Sequence, residues 1–406
     1  MNDRRPRAGT PRATGSAGAA SDDAAPVVFV PPPSAAVARK GRGAVSNIAH
    51  RFASTRREAD GDALDAERIE RQAERAAVCG VDADDDDALP PLQTVVMHEQ
   101  AKSLLAYNDS PDIPFDRSIN PYRGCEHGCV YCYARPTHSY LNLSPGLDFE
   151  TRLVAKVNAV ERLREELAAP GYRPAVVNIG SATDAYQPVE RELKLTRGVL
   201  ELLAASRHPL SIVTKSSLVE RDVDLLAPLA ADQLAAVFIS VTTLDHALSR
   251  ALEPRAASPA RRLRTIETLA KAGIPVHVNA APVIPFITEP DLERILAAAR
   301  DAGASVAHYT VLRLPWEVAP LFREWLSAHF ADRAERVMNR VREMRGGQDY
   351  DSDFKTRMKG EGTWAQLIKA RFLQASRRLG YAQGDRPLRT DLFVPPRPQR
   401  PQLDLF

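Results

Sequence analysis

The stretch that decides the fold is Asn120-Pro-Tyr-Arg-Gly-Cys125-Glu-His-Gly-Cys129-Val-Tyr-Cys132-Tyr133, which we call the Cys loop. It holds three thiols, with three residues between the first pair and two between the second. Soft thiolates select zinc, copper(I) or an iron–sulfur cluster, and a closed structural zinc site takes four protein ligands. Only His127 or the distant Cys79 could readily supply a fourth ligand. Three cysteines on a cubane cluster instead leave one iron open to a small molecule, which is a catalytic feature.

The composition around this loop indicates a soluble protein. The chain has 406 residues, a formal net charge of +2 and four cysteines, too few for a disulfide framework. No window approaches the roughly 18 to 20 apolar residues that span a bilayer, and no apolar signal segment opens the chain. We therefore expect a cytoplasmic location.

The first 100 residues are expected to be a mostly disordered leader. They are rich in Ala, Gly, Pro, Ser and Arg up to about Asn47. A charged helix is possible from Arg51 to Arg75, but an acidic run at 82–87 interrupts any packing pattern. We predict a solvated leader without chemistry.

From about Arg117 onward, short apolar runs alternate with segments of helical periodicity, as in parallel strands joined by crossover helices. About six such units are fewer than the eight of a closed barrel, so the sequence predicts an α/β fold with a partial (β/α)6 barrel over residues 113–320. The strands' β-branched content and lack of alternation favour burial on both faces. The first strand leads into the Cys loop, and the others are expected at Val176–Gly180, Leu210–Thr214, Ala236–Thr242, Pro275–Val283 and Ala307–Leu312. The helices are expected at Thr151–Ala168, Arg191–Ser206, Ser258–Ala272 and Pro290–Ala302.

A basic helical extension is predicted at 321–384, followed by a flexible tail at 385–406. Its helices are expected at roughly Val318–Met344 and Thr363–Leu379. Lys and Arg outnumber Asp and Glu by two to one between 333 and 400. Such a segment favours contact with nucleic acid phosphates, and solvated helix faces are the alternative.

The Cys loop resembles the signature of the radical S-adenosylmethionine (SAM) enzymes, whose fold is also a partial β/α barrel. The matching residues are Cys125, Cys129, Cys132 and Tyr131, the aromatic residue just before the last cysteine. The resemblance implies that Tyr131 lies against the cofactor. The resemblance implies that the cysteines bind three irons of a 4Fe-4S cluster and that the amino and carboxylate groups of SAM chelate the fourth. It also implies reductive cleavage of SAM, a 5'-deoxyadenosyl radical that abstracts a hydrogen from substrate, and a reduced electron donor such as flavodoxin or ferredoxin.

A more local resemblance, over about Ile119 to Pro315, is to the spore photoproduct lyase-like branch, also labelled DNA repair photolyase. Besides the Cys loop, the matching segments are Ser181-Ala-Thr-Asp-Ala-Tyr-Gln-Pro-Val-Glu190, Thr214-Lys-Ser216 and Leu312-Arg-Leu-Pro315. The Cys loop is highly specific for the superfamily, and the other segments are moderately specific for the branch. This resemblance implies a lyase that repairs or modifies DNA bases.

Two strand ends carry residues that the resemblance places against SAM. Ser181, Thr183 and Asp184 follow the second strand, where they can accept hydrogen bonds from the methionyl amino group. The alternative is an N-cap by Thr183 or Asp184. Lys215 follows the third strand, where the SAM carboxylate would offset the cost of burying its ammonium. The alternative is a lysine on the barrel rim.

Later strands carry further candidates. Ser240 and Thr242 end the fourth strand, and the resemblance implies that their hydroxyls reach the SAM ribose. Asn279 on the fifth strand is expected to contact cofactor or substrate rather than only an internal partner. His308 on the sixth strand is equally consistent with a packed core histidine and with a site residue.

Three residues are predicted to meet substrate, namely Tyr133, Tyr186 and Glu190, which lie next to the cofactor loops in sequence. In the lyase that names the branch, a cysteine outside the cluster returns a hydrogen atom to the substrate radical. Here the fourth cysteine is Cys79, in the predicted leader. A tyrosine could replace it as donor, or the reaction differs.

The chain closes Gln402-Leu403-Asp404-Leu405-Phe406. This resembles the motif by which bacterial polymerases and repair enzymes bind the ring-shaped sliding clamp. A Gln amide and adjacent apolar anchors suit peptide docking, and the preceding proline-rich segment is a stiff tether. The alternative is a terminal anchor folded onto the core.

The sequence as a whole favours a radical SAM lyase that acts on DNA bases and is recruited by the clamp. The alternatives are radical SAM modification of RNA or protein, or a non-catalytic clamp-associated iron–sulfur protein.

Overall fold

In the computed structural model of the chain, residues 38–53 and 92–397 are described. The strands of this part are β1 Val95–Glu99, β2 Leu105–Tyr107, β3 Arg117–Ile119, β4 Tyr122–Arg123, β5 Arg152–Lys156, β6 Val177–Ile179, β7 Leu210–Thr214, β8 Ala235–Ser240, β9 Val276–Val283 and β10 Val306–Val311. The helices are α1 Asp148–Thr151, α2 Ala159–Ala168, α3 Glu190–Leu193, α4 Leu195–Ala205, α5 Val223–Ala231, α6 His246–Leu252, α7 Pro259–Lys271, α8 Leu292–Asp301, α9 Val318–His329, α10 Ala334–Glu343 and α11 Gly362–Arg378. Short 3-10 helices cover Arg135–Leu141, Ser217–Asp222 and Glu289–Asp291.

The main sheet confirms the predicted partial (β/α)6 barrel. Its order is β2-β3-β6-β7-β8-β9-β10, and β3 and β6 through β10 are all parallel. The short strand β2 adds an antiparallel edge next to β3. Since β2 and β10 are the two edges, the sheet stays open. The carboxyl ends of the parallel strands meet at one side, where β/α barrels carry their chemistry.

The two faces of this sheet differ. The outer face is aliphatic and packs against α2, α4, α5, α7 and α8, with Ile119, Ile179, Ile212, Val237, Ile239 and Val278 all buried in one core. The inner face, which we call the lumen, carries Ser118, Asn178, Ser211, Ser240, His277 and Asn279 in register across the strands. Most of these inner-face residues are buried, as predicted for strands covered on both faces, but their side chains are polar. Convergent polar groups on the inner face suit a barrel that binds a ligand.

The segment predicted as one helix over Thr151–Ala168 is divided. Residues Arg152–Lys156 form β5, which pairs with β1 in parallel and with β4 antiparallel, and the helix α2 begins only at Ala159. The resulting small sheet, β1-β5-β4, had no counterpart in the prediction. Its central strand depends on β1, a partner more than 50 residues away, which local periodicity cannot show.

Other helices also differ from prediction. The helix expected over Arg191–Ser206 is interrupted at Lys194, whose φ of 52° lies in the left-handed region. The C-terminal prediction over Val318–Met344 becomes α9 and α10, and α5 and α6 were not predicted. None of the helices in the described ranges is long and apolar enough to cross a bilayer.

Part of the predicted leader packs against the barrel. Gly43 N and Ala44 N donate to the carboxylate of the buried Glu150, at 3.0 and 2.8 Å. A Cβ on Gly43 would lie 1.7 Å from the carbonyl oxygen of Gly128, so only glycine fits this approach to the Cys loop. The prediction of a leader without structure is thus wrong for 38–53 and for β1. The remaining leader residues, Cys79 included, lie outside the described ranges.

The last described segment of the chain crosses the amino ends of the strands. The segment 380–397, which we call the strap, donates from Ala382 N to Ser305 O at 3.0 Å and from Arg389 N to Gln233 O at 2.9 Å. It therefore covers the end of the barrel opposite the Cys loop. The terminal motif Gln402–Phe406 lies outside the described residues.

Candidate active site

The three cysteines of the Cys loop lie between β4 and the 3-10 helix Arg135–Leu141, beside the carboxyl ends of the parallel strands. Cys125 N donates to Phe149 O at 2.8 Å, and Cys132 N donates to Cys129 O at 3.2 Å. The loop turns at Gly128, whose φ is +69°, and a Cβ there would lie 2.8 Å from the Glu150 carboxylate. Backbone bonds and a required glycine thus fix the loop that carries the thiols.

The three thiols suit a cluster better than a single ion. In the described part of the chain they do not form a group whose ligand atoms all lie within 4.8 Å of one another. Three thiolates on one tetrahedral zinc would be only about 4 Å apart, since Zn–S bonds are about 2.3 Å. His127, the nearest alternative ligand, instead places Nδ1 3.2 Å from the Asp184 carboxylate. The donor set and its spacing therefore fit three irons of a larger cluster.

The thiols of Cys125 and Cys129 are buried, and two cations, Lys215 and Arg262, act on Cys129. Burial raises the pKa of Cys125 well above its usual value and that of Cys129 to about 12. The Lys215 ammonium opposes this shift at Cys129. Because ligation needs thiolates, binding iron must displace protons from these groups.

Lys215 follows β7, as predicted, and its ammonium lies 5.8 Å from the centre of the Tyr131 ring. Burial lowers the pKa of Lys215, but Cys129 and Glu253 outweigh that effect and raise it. Among the described residues, no carboxylate lies within salt-bridge distance of this ammonium. A charged group held beside the cluster cysteines without a direct anion fits a carboxylate-bearing ligand such as SAM.

Asp184 organises the loop after β6. Its carboxylate accepts from Thr214 Oγ1 at 2.7 Å, from Lys215 N at 2.8 Å and from Tyr186 N at 2.9 Å. Burial raises the pKa of Asp184, but His127 and these donors outweigh it and hold the pKa well below its usual range. Asp184 therefore joins the β6 and β7 ends as a carboxylate, and most of its acceptor capacity is used within the protein.

The neighbouring polar residues also support the loop. Thr183 is buried and donates from Oγ1 to Tyr122 O at 3.1 Å, while Asn120 Oδ1 accepts from Thr183 N and Ala182 N. Ser181 is half-buried, 3.4 Å from Asn120 Nδ2. Of the three residues predicted after β6, Ser181 keeps the most room for a ligand.

Tyr131 and Thr242 belong to a buried polar network. The Tyr131 hydroxyl donates to Glu253 and lies 3.2 Å from Thr242 Oγ1, which is 2.5 Å from the same carboxylate. Glu253 forms a buried ion pair with Arg262. Burial raises the pKa of Glu253, but Arg262 and Lys215 outweigh it and hold the pKa at about 2. The network ties the Cys loop to β8 and α7.

Sequence reasoning missed Glu253 and Arg262, because nothing in their local pattern distinguishes them from surface charges. The only signal is their placement at buried positions of α7 and of the turn after α6.

Ser240 and Asn279 are adjacent on the lumen face, paired in register between β8 and β9. Ser240 is buried, and its carbonyl accepts from Arg262 Nη1 at 3.0 Å. Asn279 is only half-buried and is also in register with His308 of β10. These positions fit the predicted contacts to a ligand in the lumen.

The structure places the three residues predicted to meet substrate in two different environments. Tyr133 is 49% exposed beside the Cys loop, its hydroxyl donates to Ser181 O, and the Arg313 guanidinium lies 5.2 Å from its ring centre. Tyr186 is 1% exposed and donates to Asp222 at 3.0 Å, and Glu190 is 0% exposed. The structure therefore places Tyr186 and Glu190 in the core, apart from the exposed Tyr133.

The reason is that Glu190 is a structural acceptor. It accepts from Tyr122 OH, from Thr196 N at 3.0 Å and from Arg221 Nη2 at 2.8 Å. These bonds satisfy a fully buried carboxylate and leave it no access to a ligand.

An exposed aromatic patch lies near the Cys loop. The Arg51 guanidinium lies 4.3, 4.9 and 5.7 Å from the ring centres of Trp316, Phe52 and Tyr140. Tyr140 belongs to the 3-10 helix after the loop, and Trp316 follows β10. Trp316 is 58% exposed. We call these four residues the aromatic patch.

The basic helical extension uses part of its charge internally. Arg357 pairs with Asp112 at 2.6 Å and Arg371 with Glu293 at 2.7 Å. Arg345 is buried and donates to Leu312 O at 2.7 Å. These arginines hold the extension on the barrel, and phosphate contact by the remaining cations stays a prediction.

Comparison with known proteins agrees with the fold and the Cys loop. The model of the radical SAM superfamily matches residues 119–299. The chain is 36% identical over 279 residues to an uncharacterized protein of Mycobacterium tuberculosis, Rv2578c, covering 64% of this chain and 81% of that one. The chain therefore belongs to the radical SAM superfamily, which implies a 4Fe-4S cluster and SAM.

Two further similarities are more distant. An uncharacterized protein of Methanocaldococcus jannaschii, MJ0683, is 27% identical over 223 residues, 55% of this chain and 80% of its own. The structure of spore photoproduct lyase complexed with dinucleoside spore photoproduct is 14% identical, with a TM-score of 0.47, covering 79% of this chain and 95% of that one.

Proposed function

We propose that this protein cleaves SAM reductively on a 4Fe-4S cluster held by Cys125, Cys129 and Cys132, and uses the resulting radical to repair or modify a DNA base. The observation that carries the proposal is that the Lys215 ammonium, which pairs with no carboxylate among the described residues, lies beside Tyr131 and Cys129 of the Cys loop. The bound cluster would supply one electron at low potential to SAM.

The chain's own residues would position the cofactor. Lys215 would bind the SAM carboxylate, and Ser181 would accept from its amino group. Asn279 and Ser240, adjacent on the lumen face, would meet the ribose. The buried network around Glu253 would keep Tyr131 in place.

A nucleobase substrate is supported by the surroundings of the mouth. The exposed ring of Tyr133 stands beside the thiols with the Arg313 guanidinium over it. The aromatic patch offers Trp316, Phe52 and Tyr140 around Arg51, the combination on which unpaired bases stack. Such stacking would hold DNA whose target base has been flipped into the lumen.

The test is an anaerobic assay of 5'-deoxyadenosine from the reconstituted protein with SAM and dithionite, with and without ultraviolet-irradiated DNA. We expect product from the wild type, none from Cys129→Ala, and stimulation by irradiated DNA. No product from protein with full iron content would overturn the radical chemistry and leave a non-catalytic iron–sulfur role. Stimulation by RNA or a peptide instead of DNA would overturn only the substrate.

The aromatic patch is tested by DNA binding. Trp316→Ala should weaken binding of single-stranded DNA, since stacking is worth about 1–3 kcal/mol per base. The matched control is Tyr107→Ala, an exposed ring that also has an arginine beside it, Arg117, but lies at the amino end of β3. Equal losses in both variants would contradict the assignment of the patch.

We also propose that Gln402–Phe406 bind a bacterial sliding clamp and that flavodoxin or ferredoxin supplies the electron. The support is the sequence of the terminal motif and its proline-rich tether. Deleting the last five residues should abolish clamp binding in a pull-down with purified clamp while SAM cleavage is unchanged. Retained clamp binding would refute the motif.

A further inference from the structure

A second cluster of possible metal ligands lies at the other end of the barrel. His277 on β9, His308 on β10 and Asp385 on the strap place one ligand atom each within 4.8 Å of one another. Over the described ranges of the chain, this is the one such group of three His, Cys, Asp or Glu side chains. His277 lies six residues before the carboxyl end of β9, about 20 Å along the strand. The cluster is therefore separate from the cysteines.

The contacts converge on one carboxylate oxygen. Asp385 Oδ1 lies 3.2 Å from His277 Nδ1 and 3.1 Å from His308 Nε2. His277 is 4% exposed, yet its Nδ1 makes no properly directed hydrogen bond at this distance. His308 Nε2 lies within hydrogen-bonding distance of Asp385 Oδ1, so the buried His277 Nδ1 is the nitrogen of this group that has no hydrogen-bond partner among the described residues.

The spacing matches metal coordination. With metal–ligand bonds of about 2.1 Å, two ligands are about 3.0 Å apart at a right angle and about 3.4 Å apart at a tetrahedral angle. The observed 3.1 and 3.2 Å lie between these values. Two imidazoles and a carboxylate are the ligand set of open zinc sites and of facial sites for other first-row divalent ions.

The surroundings leave room for further ligands on one side. The Phe238 ring, in register with His277 on the neighbouring strand β8, lies against both imidazoles, with its centre 4.4 Å from that of His277 and 5.6 Å from that of His308. On the outer side, the side chains of His308 and Asp385 are each more than one third exposed. An ion held there would have three protein ligands and solvent-facing positions.

We propose that His277, His308 and Asp385 bind a divalent transition-metal ion that fastens the strap to the amino end of the barrel. The ligands come from two neighbouring strands and from a segment 77 residues beyond His308. The ion would therefore link the strap to the sheet, in addition to the backbone bond from Ala382 to Ser305. The site does not depend on the proposed function.

The test is zinc stoichiometry. The full chain carrying Ala at Cys125, Cys129 and Cys132 is dialysed against Zn²⁺ and then against buffer, and its zinc is measured by mass spectrometry. We expect about one ion per chain in the parent, and little or no retained zinc in His277→Gln and in Asp385→Asn. The control His246→Gln, an exposed histidine on α6, should retain the ion.

Cobalt supplies a second readout. Co²⁺ added to the same proteins should give visible bands without a thiolate charge-transfer band, and these bands should disappear in Asp385→Asn. Zinc should also slow proteolysis of the strap in the parent chain and have no effect in Asp385→Asn. Equal zinc content in all variants, or no binding by the parent chain, would overturn the proposal and leave Asp385 as a hydrogen-bond acceptor for the two histidines.

Discussion

Replacing Glu253 by Gln tests the buried network that supports the Cys loop. The carboxylate accepts from Tyr131 and Thr242 and neutralises the buried guanidinium of Arg262. Gln keeps the size but removes the charge, so Arg262 is left as an uncompensated buried cation. Breaking a buried pair in this way costs about 3–5 kcal/mol.

The pKa of Glu253 supports the same magnitude. Burial alone would raise it, but Arg262 and Lys215 lower it from 4.5 to about 2. At 1.36 kcal/mol per pKa unit, this difference contributes about 3 kcal/mol. Because the pKa is lowered in the folded state, the contribution is present above pH 4.5 and is lost as the pH falls towards 2.

The assay is urea unfolding of the anaerobic apo-protein at neutral pH. We expect Glu253→Gln to lower the free energy of unfolding by about 3 kcal/mol. The matched control is Glu267→Gln, an exposed glutamate of α7 paired with Lys271 one turn away, which should change it by less than about 1 kcal/mol. Reconstituted iron should fall only in Glu253→Gln, because Tyr131 precedes Cys132. A loss below 1 kcal/mol with normal iron content would refute the reasoning.

Three further outcomes follow from the structure. Gly128→Ala should lower reconstituted iron by more than half, because its Cβ would meet Glu150 at 2.8 Å, while Gly171→Ala, with a similar φ but open space, should retain it. Burial lowers the pKa of His208 to about 4. The free energy of unfolding should therefore fall by about 3 kcal/mol between pH 6.5 and pH 4 in the wild type, and this fall should be absent in His208→Gln. The same pH dependence in both proteins would contradict this assignment. Lys215→Met should weaken SAM binding about tenfold or more in equilibrium dialysis with unchanged iron, and equal affinity would exclude its assigned contact.

The sequence by itself determined the chemistry of the Cys loop and the barrel. The thiols have three and two residues between them, so covalent connectivity brings them together whatever the rest of the chain does. The parallel strands could be predicted because buried strands need continuous apolar runs of limited length, and the observed β7 has the predicted bounds. Lys215 was found for the same reason, since the end of a recognisable strand fixes its place.

Tertiary structure alone decided which polar residues are available to a ligand. Tyr186 and Glu190 follow the same strand as Asp184, yet both point into the core, because Asp222 and Arg221 from a later segment satisfy them there. The local sequence pattern around Tyr186 and Glu190 does not indicate such partners.

The same holds for groups assembled from distant segments. Glu150 binds the backbone of Gly43, more than 100 residues earlier, and Asp385 meets His308 from 77 residues away. Their positions depend on how the chain closes long loops, and that follows from the packing of the whole molecule rather than from any single stretch of sequence.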